Sequence, residues 1–218
     1  MTGVQWRVVI PLRAAGTGKT RLQGATREPA AHGQLVLAIQ RDAIEAVLVA
    51  ARRSNTLPGS PIAGVHLVTE RAPDGLGQAV HVIADNGGGL NAALRQAAGE
   101  LAERWPSDGV LAMVADLPAL RPQEILDVLD RASNSPTAYV ADAQGSGTTM
   151  LAARRPRDLD PQFGAGSAGR HEASGCLALA AGPGARQDVD TALDLARCLR
   201  LGVGANTAAM LSELQPFG

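Results

Sequence analysis

Apolar and polar residues alternate along the chain in blocks that predict strands followed by helices. Short apolar runs bounded by polar or glycine-containing segments are typical of buried strands, and apolar residues three or four positions apart are typical of helices. The runs that predict strands are residues 8–11, 65–69, 79–84, 109–115, 137–141, 148–152 and 176–180. The patterns that predict helices are residues 34–52, 90–105, those from Pro122 onward, and a last helix from Asp190 with Leu193, Ala196 and Leu199 on one face.

This alternation predicts an α/β fold, with a mostly parallel sheet that carries helices on both faces. Gly109–Ala115 is an uninterrupted apolar run, as expected of a strand buried on both faces. In such sheets ligands bind beyond the carboxyl ends of the strands, so the polar residues that follow strands are the candidate site residues. The 218 residues fit a single domain.

Composition and charge narrow the classes of function. The chain has 20 basic and 21 acidic residues and only 2% aromatic residues. Nucleic-acid-binding proteins usually have a basic excess and stacking aromatics, so no nucleic-acid partner is expected. No apolar run approaches a membrane span and the start lacks a signal peptide, which together predict a cytoplasmic protein. Cys176 and Cys198 lack metal-ligand spacing and are expected to be buried, reduced thiols.

The loop after the first strand is rich in basic and small residues. It spans Arg13–Leu22, and its Gly18-Lys19-Thr20 is similar to the end of a P-loop. That motif also requires glycine at position 13, where this chain has arginine, so a P-loop is disfavoured. Small residues still let a backbone approach phosphate groups, and Arg13, Lys19 and Arg21 supply positive charge. A phosphate-binding loop and a solvated basic loop both fit this segment.

Aspartates at two places in the chain are candidate magnesium ligands. Asp116 directly follows the central strand, and carboxylate oxygens suit Mg²⁺, although this residue could also simply start a turn before Pro118. In Asp188-Val189-Asp190, an extended backbone would direct both carboxylates to one side, where they could join Asp116. The alternative is that Asp190 is the N-cap of the last helix, and these residues alone favour the cap.

Two segments rich in glycine and hydroxyl residues are candidate anion-binding loops. They are Gly145–Thr149 and Phe163–His171. Backbone N–H groups and hydroxyls at this density can bind an anion, and Arg170 and His171 could add positive charge. A flexible surface loop would have the same composition, so both interpretations stay open on these residues.

Taken in order, six segments resemble the guanylyltransferases of deazaflavin coenzyme F-420 biosynthesis, the CofC/FbiD family. The resemblance spans most of the chain. The segments are Lys19–Leu22, Leu90–Leu94, Asp116–Leu120, Gly147-Thr148, Phe163-Gly164 with Ser167 and His171, and Asp188–Thr191. The resemblance implies a nucleotide-diphospho-sugar-transferase-like (GT-A, Rossmann-like) fold. It also implies a reaction that joins GMP from GTP to phosphoenolpyruvate or 2-phospho-L-lactate and releases pyrophosphate.

The resemblance further implies roles for individual residues. The implied Mg²⁺ ligands are Asp116, Asp188 and Asp190. The implied GTP contacts are Arg13, Lys19, Arg21 and Asn91, with Lys19 and Asp116 taking part in catalysis. The implied contacts to the phosphorylated acid are Thr148, Gly164 and Ser167. A partner protein is also suggested, the downstream transferase that takes the product.

Two other functions fit the same fold. One is a nucleotidyltransferase for another phosphorylated acceptor such as a pterin cofactor, but its relatives usually open with a glycine run ending in arginine, which Pro11–Ala15 does not match. The other is a non-catalytic nucleotide-binding subunit, and the three retained aspartates speak against it. The alanine- and arginine-rich composition is typical of a GC-rich bacterial genome. Since bacterial members of the resembled family tend to use phosphoenolpyruvate, the resemblance favours it over 2-phospho-L-lactate as acceptor.

Overall fold

A computed structural model describes residues 3–12, 29–54, 62–70 and 73–214. Within these ranges seven strands form one sheet in the order β3-β2-β1-β4-β6-β5-β7. The strands are β1 (Trp6–Pro11), β2 (Ile62–Val68), β3 (His81–Ile83), β4 (Gly109–Met113), β5 (Thr137–Ala141), β6 (Thr148–Ala153) and β7 (Leu177–Ala178). The helices are α1 (Pro29–Ser54), α2 (Leu90–Arg104), α3 (Pro122–Ala132), α4 (Ser167–Ala173), α5 (Pro183–Arg186), α6 (Ala192–Leu201) and α7 (Ala205–Leu214).

The sheet is mostly parallel, as the sequence predicted. Strand β1 pairs in parallel with β2 and β4, β2 with β3, and β5 with β7. Strand β6 is antiparallel to both of its neighbours, β4 and β5. It therefore begins at the edge of the sheet where β4 and β5 end, which brings Thr148 to the edge predicted to bind ligands.

Helices cover both faces of the sheet. Successive residues of a strand point to opposite faces, so a strand that is apolar throughout has an apolar surface on each face that helices can cover. On one face, Val8 of β1 belongs to the same buried cluster as Ile44 of α1 and Ile125 of α3. On the other face, Val9 packs in a second cluster with Leu94 of α2. The two-sided arrangement confirms the predicted layers.

Several predicted boundaries were wrong by a few residues. Helix α1 begins five residues before the predicted start at Gln34. Residues 62–64 belong to β2, although the sequence predicted a loop through Gly64. Strand β3 has three residues and follows a 3₁₀ turn at Gly77–Ala79, and β7 has only two. Hydrogen bonding to a neighbouring strand decides where β2, β3 and β7 begin and end, and local composition does not report it.

The C-terminal part differs more from the prediction. The apolar face assigned to the helix after Asp190 was wrong, because Leu193 and Leu199 are 58% and 48% exposed. The buried residues of α6 are Asp194, Leu195 and Cys198. Leu195 and Cys198 pack in one cluster with Leu35 and Ile39 of α1. The segment LDLARCLRL has apolar residues on more than one helical face, so spacing alone could not select the buried one. A further helix, α7, follows and was not predicted.

Two smaller expectations can be compared with the structure. Neither cysteine forms a disulfide; Cys198 is buried as expected, whereas Cys176 is only partly buried. Leu37 was predicted on the buried face of α1 but is 45% exposed. Among the described helices, none is both long and apolar enough to cross a membrane.

Candidate active site

A cleft of about 560 Å³ opens at the edge of the sheet where β4 and β5 end and β6 begins. Its lining includes Asp116 after β4, Asp142 after β5 and Thr148 at the start of β6. Gly164, which precedes α4, and Ser167, the first residue of α4, also line the cleft. The candidate residues thus meet at the edge that the topology predicts.

A backbone hydrogen bond brings the two groups of aspartates together. The N–H of Val189 donates to the carbonyl oxygen of Asp116 at 3.1 Å. The Val189 side chain is fully buried in a cluster with Leu35 of α1 and Leu195 of α6. One carboxylate oxygen from each of Asp116, Asp188 and Asp190 lies within 4.8 Å of the others, an arrangement that could hold a metal ion.

Thr191, and not Asp190, is the N-cap of α6, so the favoured alternative from the sequence was wrong. The Thr191 hydroxyl accepts a hydrogen bond from the backbone N–H of Asp194 at 3.2 Å. In return, the Thr191 backbone N–H donates to the Asp194 carboxylate at 3.0 Å. The N-cap is therefore one residue later than in that alternative, and Asp190 lies beside the other two aspartates.

The aspartate cluster strongly disfavours full ionisation in the absence of a cation. Burial raises the pKa of Asp188 to about 7, and the neighbouring charges of Asp116, Asp190 and Asp142 add to this effect. A divalent cation would offset the repulsion, and carboxylate oxygens are the ligands that Mg²⁺ and similar hard cations prefer. The donor set therefore fits such an ion.

Asp142 is a site residue that the sequence analysis missed. Its carboxylate accepts hydrogen bonds from the backbone N–H groups of Ser146 at 2.9 Å and Gly147 at 2.8 Å. These bonds hold the turn between β5 and β6, and a side chain at Gly147 would collide with the carboxylate. Asp142 directly follows β5 as Asp116 follows the end of β4, so the same positional rule could have found it.

The residues expected to bind the acid form a buried hydrogen-bonded group. The hydroxyl oxygens of Thr148 and Ser167 are 3.0 Å apart, and the Thr148 oxygen is 2.9 Å from Nδ1 of His171. All three side chains are buried. Gly164, with a φ of +125°, lines the same cleft in a backbone conformation that favours glycine. The structure thus brings Thr148, Gly164 and Ser167 together beside one cleft.

Part of the glycine-rich segment is a helix, which the sequence analysis did not predict. Gly166 adopts a left-handed conformation and is the N-cap of α4, whose seven residues include Ser167 and His171. The glycines made the whole segment resemble a loop, because glycine is a poor helix former. The consequence is that Ser167 and His171, four residues apart, face the same direction.

Asn91 fastens this segment to α2. Its side-chain amide donates to the carbonyl oxygen of Phe163 at 3.0 Å, and its side-chain oxygen accepts from the Phe163 N–H at 2.8 Å. The described contact of Asn91 is therefore with the acid side of the cleft. Its expected contact with GTP stays a prediction.

Arg170 remains a cation but is bonded to its own loop, and His171 does not supply the positive charge that was expected of it. The guanidinium of Arg170 donates to the carbonyl oxygens of Ala165 at 2.7 Å and Gln162 at 2.8 Å, and so ties its own loop together. Burial lowers the pKa of His171, and the nearby Arg170 lowers it further against a smaller opposing effect of Asp160. His171 is therefore neutral at pH 7.

Arg13, Lys19 and Arg21 lie outside the described residues. The strand before this segment and the helix after it both reach the cleft, since Pro11 of β1 and Gln40 of α1 line it.

Comparison with known proteins identifies the family. The profile of the family described as "Guanylyl transferase CofC like" matches residues 6–175. The chain belongs to this family. A Streptomyces avermitilis protein named phosphoenolpyruvate guanylyltransferase is 42% identical to this CofC-like chain over 216 residues, which cover 97% of the chain and 96% of that relative. As a member of this family the chain is a guanylyltransferase, an enzyme of the nucleotidyltransferase class. This agrees with the sequence prediction.

Solved structures agree with the fold of the CofC-like chain. A Desulfovibrio desulfuricans G20 protein assigned to the nucleotide-diphospho-sugar transferases superposes with a TM-score of 0.66 at 18% identity, covering 95% of this chain and 94% of its own. Rv0371c of Mycobacterium tuberculosis H37Rv, solved in complex with manganese, gives 0.52 at 21% identity, covering 91% and 100%. At these identities the likeness concerns the fold alone, and the predicted nucleotide-diphospho-sugar-transferase-like fold is confirmed.

Proposed function

We propose that this enzyme transfers the guanylyl group of GTP to phosphoenolpyruvate and releases pyrophosphate. The observation that carries the proposal is that one cleft combines three carboxylates with a buried group of hydroxyls. Carboxylates of this kind suit a metal-bound triphosphate, and hydroxyls suit an anionic acid. The name of the Streptomyces avermitilis relative supports phosphoenolpyruvate as acceptor. 2-Phospho-L-lactate, which differs by hydrogens at C2 and C3, is the alternative.

Asp116, Asp188 and Asp190 are the proposed ligands of Mg²⁺. Their oxygens lie within 4.8 Å of one another, and the raised pKa of Asp188 reflects the repulsion that a cation would relieve. The manganese complex of Rv0371c supports a divalent cation in this fold. When bound, the cation would supply neutralisation of charge on the α-phosphate and the leaving pyrophosphate.

The proposed GTP site also uses the basic segment after β1. Arg13, Lys19 and Arg21 would neutralise the triphosphate, and Lys19 would take part in catalysis. The cleft-lining positions of Pro11 before this segment and Gln40 after it support this assignment. Arg and Lys side chains at such a site would stabilise negative charge that develops during transfer.

The reaction needs no side chain that removes a proton. The nucleophile is a phosphate oxygen of the acid, which is already ionised at neutral pH. It forms a bond to the α-phosphorus of GTP, and the bond from that phosphorus to the oxygen bridging the α- and β-phosphates breaks. The electron pair leaves with pyrophosphate. Thr148, Gly164 and Ser167 would hold the acid so that its phosphate faces the α-phosphate, because alignment is what such transfers require.

The product would be a diphosphate-linked guanosine with an acidic substituent. We propose, from the family resemblance, that it serves coenzyme F-420 biosynthesis and passes to a downstream transferase. We also propose a cytoplasmic location, because GTP and phosphorylated C3 acids are made and used there.

A substrate screen tests the proposal directly. Purified protein with Mg²⁺ would be incubated with each of the four nucleoside triphosphates and with phosphoenolpyruvate, 2-phospho-L-lactate or 3-phosphoglycerate. Mass spectrometry would detect the adduct and a coupled assay would detect pyrophosphate. The expected result is an adduct from GTP and phosphoenolpyruvate, with a smaller yield from 2-phospho-L-lactate, because pockets distinguish such small apolar changes by only ~1–3 kcal/mol.

Other results would point to other functions. If pyrophosphate were released only with a different acceptor, such as a phosphorylated pterin, the assigned acceptor would be wrong. The enzyme would still be a nucleotidyltransferase. GTP binding without pyrophosphate release under any condition would indicate a non-catalytic nucleotide-binding subunit, and the proposed reaction would have to be abandoned.

A further inference from the structure

His171 lies directly behind the proposed acid site and has both ring nitrogens in hydrogen bonds. Its Nε2 is 3.1 Å from the backbone nitrogen of Gln162, and its Nδ1 is 2.9 Å from the hydroxyl oxygen of Thr148. The side chain is completely buried. It contacts the rings of Phe163 and Tyr139, with ring centroids 5.6 Å and 5.9 Å away, so its orientation is fixed from several sides.

The contact with Gln162 determines which ring nitrogen carries the proton. A backbone N–H can only donate a hydrogen bond, so Nε2 of His171 must accept. A neutral imidazole has one N–H, which must then be on Nδ1. The Nδ1–H therefore donates to the Thr148 hydroxyl oxygen, and the hydroxyl does not donate to the ring.

The direction of this bond changes what the two hydroxyls can offer a ligand. Thr148 and Ser167 together have two hydroxyl protons, and one of them is used in the 3.0 Å hydrogen bond between the two oxygens. Because His171 donates to Thr148, the second proton has no acceptor among the residues that the structure describes. With the opposite tautomer, the Thr148 proton would go to His171 and the Ser167 proton to Thr148, and neither would remain for a ligand.

We propose that His171 is a positioning residue that makes the Thr148–Ser167 pair a hydrogen-bond donor and thereby selects an anionic acceptor. The inference rests on the proposed function and deepens it, since it explains why the acid site accepts an ionised phosphorylated acid. A site left with only acceptor atoms would repel the oxygens of such an acid. His171 does not touch the substrate; it acts through Thr148.

The first test measures the tautomer of His171 in the wild-type protein without substrate. Two-bond ¹H–¹⁵N correlation spectra of protein with ¹⁵N-labelled histidine separate a protonated from an unprotonated ring nitrogen. The expected result is a protonated Nδ1 and an unprotonated Nε2, the less common tautomer of neutral histidine in solution. Assignment uses the spectrum of His171→Asn, in which this signal is missing. A protonated Nε2 would overturn the proposal.

The second test compares two substitutions that preserve different halves of the contact. In His171→Asn, the amide N–H₂ can occupy the place of Nδ1–H and still donate to Thr148. In His171→Gln, the longer amide can accept from Gln162 but does not present a donor to Thr148. The KM for phosphoenolpyruvate is expected to rise about ten- to a hundredfold in His171→Gln and much less in His171→Asn, with the KM for GTP nearly unchanged in both.

A double substitution separates positioning from a structural role. If His171 acts through the Thr148 hydroxyl, adding His171→Gln to Thr148→Val should have little further effect on the KM for phosphoenolpyruvate. Independent effects of the two substitutions, or an equal rise in the KM for GTP, would overturn the proposal. Absence of guanylyl transfer by the wild type would instead overturn the proposed function, and the tautomer measurement would still decide the direction of the hydrogen bond.

Discussion

At the scale of single residues, the cleft combines crowded carboxylates with buried polar side chains. Three carboxylates are crowded together, and the pKa of Asp188 is raised to about 7. Buried hydroxyls and a neutral histidine lie on the other side of the cleft. Perturbed groups of this kind concentrate at functional sites, where charge that is unfavourable in the free protein is matched by a ligand.

Asp116→Asn is expected to reduce kcat by several orders of magnitude without lowering the melting temperature. Asparagine keeps the size of the side chain and suits a turn equally well, but it lacks the charge that would hold Mg²⁺. Relief of repulsion with Asp188 would keep the melting temperature at or above that of the wild type. Steady-state kinetics and thermal unfolding measure the two effects.

Asp130→Asn is a matched control, because Asp130 is exposed on α3. It should behave as wild type, and chelator should abolish wild-type activity until Mg²⁺ is restored. Wild-type turnover of GTP by Asp116→Asn would mean that Asp116 is only a turn former, and the metal site would have to be given up.

Ser167→Ala is expected to raise the KM for phosphoenolpyruvate about ten- to a hundredfold and to leave the KM for GTP nearly unchanged. The substitution removes one hydroxyl from the buried pair, and a hydrogen bond to a charged group contributes roughly 1.5–3 kcal/mol. Initial-rate measurements with each substrate varied in turn separate the two constants. Ser212→Ala, at an exposed serine of α7, is the control. An equal rise in both constants would exclude a specific role in acid binding.

At the scale of elements, distant side chains decide where some helices begin. The carboxylate of Asp42 in α1 accepts hydrogen bonds from the backbone N–H groups of Asn206 and Thr207 at 2.9 Å each. It therefore caps the first turn of α7 from a different helix. Because Asp42 is buried, loss of its carboxylate would leave N–H groups without an acceptor in a poorly hydrated place.

Asp42→Ala is expected to lower the free energy of unfolding by about 2 kcal/mol or more. This exceeds the typical cost of losing a helix cap, because the N–H donors that lose their acceptor are buried. Urea unfolding followed by circular dichroism measures the change. Asp130→Ala, on an exposed helical surface, should change the stability by less than about 0.5 kcal/mol. Equal stability of the two variants would show that solvent replaces the cap at α7.

The elements that sequence analysis predicted well are those whose pattern is local. Strand β4 is a continuous apolar run, and α3 has a strongly amphipathic sequence with proline in its first turn. Helix α7 could not be found in this way because its cap is contributed by Asp42, more than 160 residues earlier. Likewise, the joining of Asp188 and Asp190 to Asp116 depends on the Val189 backbone bond, and local composition favoured a helix cap instead.

At the scale of the whole molecule, a second polar group surrounds Arg7 near the amino end of β1. Arg7 of β1 donates to Asp108 at 2.8 Å, and its guanidinium lies 3.3 Å from the ring centroid of Trp105. His66 of β2 stacks on His81 of the neighbouring β3 with 5.0 Å between ring centroids. Burial, then the charges of His81, Arg7 and Arg104, lower the pKa of His66 to about 4.

Stability is therefore expected to depend on His66 at mildly acidic pH. Its folded pKa lies below the usual value of 6.5, so the unfolded chain takes up a proton that the folded protein does not. The contribution is fully present above pH 6.5 and is lost as the pH falls toward about 4, with a limiting slope of ~1.4 kcal/mol per pH unit. Urea unfolding of wild type and His66→Gln across this range measures it.

Many carboxyl groups titrate in the same pH range, and they are present in both the wild type and His66→Gln. The difference in unfolding free energy between the two proteins therefore reports the contribution of His66. The advantage of the wild type at pH 7 should shrink as the pH falls. A constant difference between wild type and His66→Gln at every pH would contradict the expected linkage.

The order of the sheet could not be predicted from the sequence, because pairing of β4 with β6 rather than β5 is a long-range choice. The reversal of β6 nevertheless has a consequence for how acceptor preference can change. Thr148, Gly164, Ser167 and His171 lie in one continuous stretch, residues 142–171, whereas the aspartates of the metal site lie before and after it. The segment that recognises the acceptor can therefore be exchanged as one piece. Residues 142–171 of a family member with a different acid preference, grafted into this chain, should transfer that preference. The chimera should still depend on GTP and Mg²⁺. Product analysis of such a chimera by mass spectrometry would reveal an unchanged acceptor if the preference is instead distributed over the fold. A lineage could in this way acquire a new acid through changes in about thirty neighbouring codons while its nucleotide chemistry stayed intact.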